Sequence, residues 1–188
     1  NTAFSSVLYS SGDTKVLVTT SIGNRVPNWL TGRNQGWVTA EYSMLPGSSS
    51  QRVSRSAYDK GRAKEISRLI GRSLRTIIDL EKIEGLVITV DCDVIQADGG
   101  TRTAAINGAW VALKDTFHKL IVNKDIKDNP LLGQIAAVSV GIVEKEVILD
   151  LDYSQDSEAD VDLNVVMTSD KEFIEIQGTG ERKSFSQK

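Results

Sequence analysis

Apolar residues recur along this chain with two different periods, and each period predicts one type of element. Eight short stretches are rich in β-branched residues and end at Gly, Asp, Asn or Ser, which is typical of β-strands. These stretches are VLYSS, KVLVTTS, GWVTAEY, LVITVDCDV, AAVSVGIV, VILDL, LNVVMT and FIEIQ. Two longer segments carry apolar residues at three- and four-residue spacing, which predicts helices over residues 61–80 and 102–122.

Strands outnumber helices and short turns join most of them, so the pattern predicts an α+β fold. We expect the helices to pack on one face of a largely antiparallel or mixed sheet. The second helix carries Ala104, Ala105, Gly108 and Ala112, whose small side chains favour close packing against a sheet. The length of 188 residues is enough for a substantial core, and we predict a single domain over residues 1–188.

Composition and cysteine content exclude several classes of protein. Cys92 is the one cysteine of the sequence, so an internal disulfide and a zinc site built on several cysteines are both excluded. This favours a reducing compartment, and we expect a cytoplasmic protein. The apolar runs are too short for a membrane-spanning helix, so no membrane association is expected. The net charge of −3 at pH 7 argues mildly against non-specific binding of nucleic acid, although a net charge hides local patches.

Charge is concentrated in two segments of opposite sign. Residues 47–75 hold eight basic residues against two acidic ones, whereas residues 144–175 hold eleven acidic residues against two lysines. Such runs usually form solvated surface. A basic and an acidic segment in one small domain also suit a site where a polyanion meets a metal ion. Composition leaves both interpretations open.

Arg62 is the cation of the first predicted helix whose position is unusual. At about 100° per residue it lies on the same flank as the core position Ile66, close to the helix N-terminus. The helix dipole favours anions there, so a bound anion would account for the placement. Arg68, Arg72 and Arg75 form a stripe on the opposite side, and solvated or subunit-facing charge is their simplest interpretation.

The stretch QADGGTRTAA, residues 96–105, joins a predicted strand to the second helix. Glycines in front of a helix allow backbone N–H groups to converge on an anion. Thr101 is a candidate N-cap or a donor to a ligand, and Arg102 supplies a planar guanidinium that suits phosphate oxygens. A tight turn with a solvated arginine explains the same residues, so the stretch alone leaves both possibilities open.

The acidic stretch LDLDYSQDSEADVDLNVVM offers carboxylates, which are the ligands that Mg²⁺ or Mn²⁺ prefers. We expect alternate residues of the following strand, from Val161 to Met167, to face the core, which turns Asp162 and Asn164 to the other face. Asp156 and Asp162 share a metal ion only if the chain turns back between them. The alternative is a charged hairpin loop.

The remaining residues with reactive or aromatic side chains are interpreted as structural. His118, the one histidine of the sequence, and Cys92 have no partner that suggests catalysis. The tryptophans are interpreted as packing residues, with an exposed contact surface as a lesser alternative for Trp29.

Several segments in a fixed order carry a resemblance to a known family. NQGWVTAEYSMLP, GRAKEISRLIGRSLR, DCDVIQADGGTRTAAINGA, AAVSVGIV and LDLDYSQDSEADVDLNVVMT together resemble ribonuclease PH across essentially the whole chain. The resemblance implies a ribonuclease PH-type β-α-β fold, with mixed sheets packed with two main helices. It also implies a ring-shaped homohexamer built as a trimer of dimers.

The activity that the resemblance implies is phosphate-dependent 3′-to-5′ exoribonuclease action, a nucleotidyltransferase reaction. Inorganic phosphate is the expected co-substrate and Mg²⁺ or Mn²⁺ the expected metal. The expected substrates are the 3′ ends of transfer RNA precursors and other RNAs, and the expected products are nucleoside diphosphates. The alternative is a catalytically silent RNA-binding ring subunit of an exosome-like assembly, which would lack the key arginine or the aspartates.

The resemblance also assigns roles to individual residues, as phosphate ligands, metal and catalytic residues, and RNA contacts. The phosphate ligands are Arg62, Gly100, Thr101 and Arg102; Asp156 and Asp162 serve the metal and, with Arg102, catalysis; Arg52 and Arg55 contact RNA. Gly47 stands where the family usually has another RNA-binding arginine, and the segment between Arg55 and Gly61 is shorter than usual. The family's first residues and its C-terminal helical segment have no counterpart in the sequence, so we expect a domain that lacks both.

Overall fold

The computed structural model describes residues 2–55 and 61–186, and in these residues eight strands and three α-helices follow one another. In chain order they are β1 Ser5–Ser11, β2 Thr14–Gly23, β3 Trp37–Met44, α1 Gly61–Thr76, β4 Val87–Gln96, α2 Thr101–Val122, β5 Ile135–Val143, β6 Glu146–Leu149, α3 Tyr153–Glu158, β7 Val161–Thr168 and β8 Phe173–Thr179. All eight predicted strands form, and the α+β class is confirmed. The shortened segment before Gly61 falls on residues 56–60, outside the described residues.

The strands form two four-stranded sheets. The first has the order β1-β2-β4-β3 and is mixed, because β3 and β4 are parallel while the other pairs are antiparallel. The parallel pair is joined through α1, which is the β-α-β unit that the resemblance implies. The second sheet has the order β6-β5-β7-β8 and is antiparallel throughout.

Helix α2 lies between the two sheets and joins their cores. It contacts β1, β2 and β4 of the first sheet and β5 and β7 of the second. Its small residues allow the close approach that the sequence predicted: a Cβ on Gly108 would come within 2.9 Å of Val18 Cγ2 and 3.0 Å of Tyr9 Cβ. One continuous set of buried side chains therefore extends from Val18 in β2 to Val166 in β7.

Helix α1 ends at Thr76, earlier than the predicted residue 80. The chain leaves the helix because Ile78 forms an isolated antiparallel bridge with Leu131 and the Asp79 amide donates to the Pro130 carbonyl at 2.8 Å. Ile78 is nevertheless buried. The apolar spacing thus identified Ile78 correctly as a core position. The backbone of Ile78, however, pairs with the distant Leu131 instead of continuing the helix.

Strand β7 buries the face opposite to the one predicted. Asn164 is 6% exposed and Val166 fully buried, whereas Leu163, Val165 and Met167 are only partly buried. The expectation that alternate residues from Val161 to Met167 face the core was therefore right for Val161 and wrong for the other three residues. The physical reason is that the buried face of β7 is partly polar: Asn164 lies opposite Ser139 of β5, and both side chains are buried.

Helix α3 occupies the acidic stretch, where no helix was predicted. Asp152 caps it: its carboxylate accepts from the Gln155 amide at 2.8 Å, and the Gln155 side chain accepts from the Asp152 amide at 3.2 Å. The interpretation as a plain hairpin loop was wrong. None of the helices in the described part of the chain is long and apolar enough to cross a membrane.

Candidate phosphate and metal site

A cleft of about 980 Å³ opens where the two sheets meet. It gathers side chains from the loop after β3, the start of α1, the turn before α2, helix α3 and strand β7. Of the predicted site residues, it is lined by Arg52, Arg62, Gly100, Thr101, Arg102, Asp156 and Asp162. Arg55 is exposed and is not among the residues that line the cleft. The basic and acidic segments of the sequence thus meet in one place.

The turn before α2 is built from two glycines with positive φ. Gly99 has φ +74° and Gly100 has φ +53°. A Cβ on Gly99 would overlap the Leu151 carbonyl oxygen and lie 2.8 Å from the Asp152 carbonyl carbon. Gly99 therefore allows the turn to pack against the backbone that leads into α3. This contact joins the two halves of the fold, residues 2–122 with the first sheet and residues 135–186 with the second, and the spacing of the sequence did not reveal it.

Hydrogen bonds from β2 hold the same turn in place. The Thr14 hydroxyl donates to the Gly99 carbonyl at 2.7 Å and accepts from the Asp98 amide at 2.8 Å. The Asp98 carboxylate in turn accepts from the Tyr153 amide at 3.3 Å. The turn is thus fixed both to the first sheet and to the beginning of α3.

The N-terminus of α2 is open to the cleft. Gly100 is the N-cap residue, and no side chain among the described residues caps the helix there. The alternative role of Thr101 as N-cap was wrong, because Thr101 is already the first helical residue. Uncapped amide groups at a helix N-terminus, with the helix dipole behind them, favour a bound anion.

Tyr42 of β3 contacts the same helix N-terminus. Its phenol is almost completely buried and donates to Thr101 Oγ1 at 2.8 Å. Burial raises the pKa of Tyr42, against the opposing effects of the Thr101 hydrogen bond and of the Arg62 and Arg102 charges. The phenol therefore stays neutral and remains a donor, which leaves the proton of the Thr101 hydroxyl free for another acceptor.

Arg102 presents an unsatisfied donor. Its Nε atom is buried and has no hydrogen-bond partner within the described residues. Its terminal nitrogens are engaged from one side, where Nη1 donates to Gln177 Oε1 at 3.3 Å and Nη2 lies 3.7 Å from Glu65 Oε2. A buried N–H without an acceptor is costly, and an anion in the cleft would satisfy it.

Asp156 and Asp162 form the acidic side of the cleft. Burial raises the pKa of both carboxyl groups, and the charge of Asp156 raises that of Asp162 further. The positive charges of Arg62 and Arg102 act on both aspartates in the opposite direction. The chain turns back between α3 and β7, so the two aspartates face one space together with the two arginines.

This donor set fits a divalent cation such as Mg²⁺. Two neighbouring carboxylates, of which Asp156 raises the pKa of Asp162, favour a nearby cation because its charge offsets theirs. Mg²⁺ in proteins is commonly held by one or two carboxylates together with substrate phosphates and water. No group of three or more His, Cys, Asp or Glu side chains in the described residues is arranged to hold a metal ion alone.

Five residues near the site had not been identified from the sequence as site residues. Sequence periodicity places Tyr42 and Gln177 in strands without indicating which face meets the cleft, and it places Asn164 on the face of Asp162 without giving it a role. Glu65 was counted only as a charge in the basic segment. Glu181 lines the cleft and raises the pKa of both aspartates, yet it follows the last strand in a segment with no regular pattern.

Comparison with known proteins agrees with this architecture. The model of the 3′ exoribonuclease family, domain 1, matches residues 1–118, and that of domain 2 of the same family matches residues 133–188. The rice (Oryza sativa) protein Rrp46 has a similar structure, with a TM-score of 0.75 at 20% identity over 98% of this chain and 77% of that chain.

Two archaeal structures share the fold as well. An Archaeoglobus fulgidus exosome with RNA bound to the active site gives a TM-score of 0.82 at 22% identity, over 100% of this chain and 76% of that chain. An archaeal exosome core gives a TM-score of 0.73 at 22% identity, over 98% of this chain and 73% of that chain. These structures confirm the ribonuclease PH-type fold, and the family models match most of the sequence. The chain therefore belongs to the ribonuclease PH family of 3′ exoribonucleases.

Proposed function

We propose that the protein is a phosphorolytic 3′-to-5′ exoribonuclease that uses inorganic phosphate to remove nucleotides from RNA 3′ ends, including those of transfer RNA precursors. The observation that carries the proposal is the unpaired, buried Nε of Arg102 in a cleft that also holds Arg62 and two aspartates. A site of this kind accepts an anion on one side and a cation on the other.

Orthophosphate would bind between Arg62, the N-terminus of α2 and the Arg102 guanidinium. One of its oxygens attacks the phosphorus of the last phosphodiester, and the bond from that phosphorus to the 3′ oxygen of the preceding nucleotide breaks. The 3′ oxygen takes up a proton, and the terminal nucleotide leaves as a nucleoside 5′-diphosphate. Because two anions must approach each other, the arginines contribute mainly by offsetting negative charge.

The chain's own groups also orient the reactants. Thr101 donates its free hydroxyl proton to phosphate, since Tyr42 already occupies its oxygen. Asp156 and Asp162 would hold Mg²⁺ or Mn²⁺, which when bound offsets charge on the scissile phosphodiester. Arg52, which lines the cleft, and the exposed Arg55 would contact the RNA backbone.

The second candidate is a catalytically silent RNA-binding ring subunit. It is favoured by the likeness to exosome structures, whose fold alone does not distinguish active from inactive subunits. Against it stand Arg62, Arg102, Asp156 and Asp162, which all line one cleft. For either candidate we propose that the chain assembles into a hexameric ring, which a measurement of its mass in solution would test.

One experiment separates the candidates. The protein is incubated with 3′-extended RNA and Mg²⁺, with and without orthophosphate, and the mononucleotide product is identified. Nucleoside diphosphates that appear only with phosphate support phosphorolysis. Nucleoside monophosphates would indicate a hydrolytic nuclease, and binding of RNA without any product would support the silent subunit.

A further inference from the structure

Glu65, Gln177 and Arg102 form a polar triad at the edge of the cleft, and each comes from a different element. Glu65 lies in the first turns of α1, Gln177 in β8 and Arg102 in the first turn of α2. The Gln177 amide donates to Glu65 Oε1 at 2.9 Å and accepts from Arg102 Nη1 at 3.3 Å. The triad thus connects the helix at the phosphate site to both halves of the fold.

The carboxylate of Glu65 determines which way the Gln177 amide points. A carboxylate only accepts hydrogen bonds, so it selects the NH₂ end of the amide. The carbonyl end of Gln177 must then face Arg102, where it can accept. With a neutral amide at position 65 this selection would be lost, and the NH₂ end of Gln177 could turn toward the guanidinium, where no acceptor would remain.

The triad leaves the phosphate-binding part of Arg102 free. Gln177 engages Nη1, and Glu65 lies 3.7 Å from Nη2, which is an ion-pair separation rather than a direct hydrogen bond. Nε keeps its proton unpaired. The guanidinium is therefore held at its terminal nitrogens, while a donor that suits a phosphate oxygen stays available.

We propose that Glu65 and Gln177 are positioning residues that hold the Arg102 guanidinium in the orientation that binds orthophosphate. This inference rests on the proposed phosphate site. Simple electrostatics predicts the opposite effect, because a carboxylate near an anion site should weaken phosphate binding. If positioning dominates, removal of the Glu65 charge weakens phosphate binding; if competition for Arg102 dominates, the same change strengthens it.

The test compares Glu65→Gln with the matched control Glu175→Gln. Glu175 in β8 also pairs with α1, through Arg72 at 2.7 and 3.1 Å, but this contact is on the exposed surface away from the cleft. Both variants replace one carboxylate by an amide at a contact between α1 and β8. Glu65→Gln should weaken orthophosphate binding about tenfold, the scale of one charge-assisted hydrogen bond, whereas Glu175→Gln should leave it unchanged.

Two assays, one of binding and one of activity, keep the inference separate from the proposed activity. Orthophosphate affinity is measured by calorimetry in the absence of RNA, and the KM for phosphate and the KM for RNA are measured in the phosphorolysis assay. We expect the KM for phosphate to rise in Glu65→Gln while the KM for RNA stays constant. A wild-type protein that binds phosphate but forms no diphosphates would refute the activity and still allow the calorimetric test.

A second variant shows whether Glu65 acts through the amide. Gln177→Leu should weaken phosphate binding like Glu65→Gln, and the double variant should be little worse than either single one, since residues that act in one network are not additive. Melting temperatures confirm that the variants are folded. Unchanged or tighter phosphate binding in folded Glu65→Gln, or additive effects in the double variant, would overturn the inference.

Discussion

Substitution of Gly99 tests how the phosphate turn is held against the second half of the fold. Gly99 has φ +74°, and its Cα faces the backbone of Leu151 and Asp152 so closely that a Cβ would overlap the Leu151 carbonyl oxygen. Gly85 is a matched control, because it has φ +76° but nothing within 4 Å of the position of a Cβ. The two substitutions to alanine therefore share the backbone penalty and differ in the contact.

The expected losses follow from these two geometries. An alanine in the left-handed region costs about 1–2 kcal/mol, which is the whole effect expected for Gly85→Ala. The overlap at Gly99 forces a backbone shift that adds about 1–3 kcal/mol, the usual cost of overpacking. In a chain of this size each kcal/mol lowers the melting temperature by about 2–4 °C.

The assay is urea denaturation of both variants beside the wild type, followed by calorimetric titration with orthophosphate. Gly99→Ala should lose about 1–3 kcal/mol more unfolding free energy than Gly85→Ala. It should also bind phosphate more weakly, since the displaced turn carries Gly100 and Thr101. Equal losses of stability in the two variants would refute the idea that close packing against Leu151, rather than φ alone, requires the glycine.

Three further substitutions test individual groups of the cleft. Arg102→Ala should lower phosphorolysis by about 10²- to 10³-fold, the scale for loss of one preorganised donor; unchanged phosphate-dependent activity would contradict the assignment. Asp162→Asn should abolish metal-dependent activity but raise the melting temperature of the metal-free protein near pH 7. Burial and the charge of Asp156 raise the pKa of Asp162, so ionisation of Asp162 destabilises the fold as the pH rises through this raised pKa. Below the ordinary aspartate pKa the carboxyl group is protonated in both states, so Asp162→Asn should no longer raise the melting temperature there. A higher melting temperature that persists in acid would contradict this reasoning. Tyr42→Phe should cost about 1 kcal/mol in urea denaturation, the worth of one hydrogen bond, and raise the KM for phosphate; an unchanged KM would exclude an effect of Tyr42 on Thr101.

Local patterns in the sequence predicted the eight strands and the two long helices, although not α3. The strands are short runs of β-branched residues, and their period of two is visible without knowledge of their partners. The small residues of α2 likewise indicated close packing, which the contact of Gly108 with Val18 and Tyr9 confirms. In each case the information lies within a few consecutive residues.

Features that depend on distant segments could not be predicted in the same way. Gly99 must be glycine because of Leu151, and α1 stops at Thr76 because Ile78 bridges to Leu131. The sequence around each residue holds no sign of its partner. The positions of Glu65 and Gln177 beside Arg102 are of the same kind, since three separate elements meet there.

Strand β7 shows why the site itself misleads a prediction from hydrophobic alternation. Its most apolar alternating set includes Leu163 and Val165, and ordinary alternation assigns that set to the core. The structure instead buries Asn164 and Val166 and turns Asp162, on the same face, into the cleft. A face that must place carboxylates in a cleft cannot also be the most apolar face, so the departure from the pattern marks the functional side of the strand.

The charges of the cleft are arranged so that they do not satisfy one another. In the described part of the chain no ion pair joins Arg62 or Arg102 to Asp156 or Asp162, although the arginines act on the pKa of both aspartates. Direct pairing would lower the pKa of the aspartates and occupy the arginine donors. Burial instead raises the pKa of both carboxyl groups, and Arg102 keeps an unpaired Nε. A phosphate on the arginine side would accept from the unpaired Nε of Arg102, and a cation on the aspartate side would stabilise the ionised carboxylates. The cation would also reduce the repulsion between the phosphate and the aspartates, and the phosphate would reduce the repulsion between the cation and the arginines. Binding of phosphate and of the metal ion to this cleft should therefore be mutually favourable.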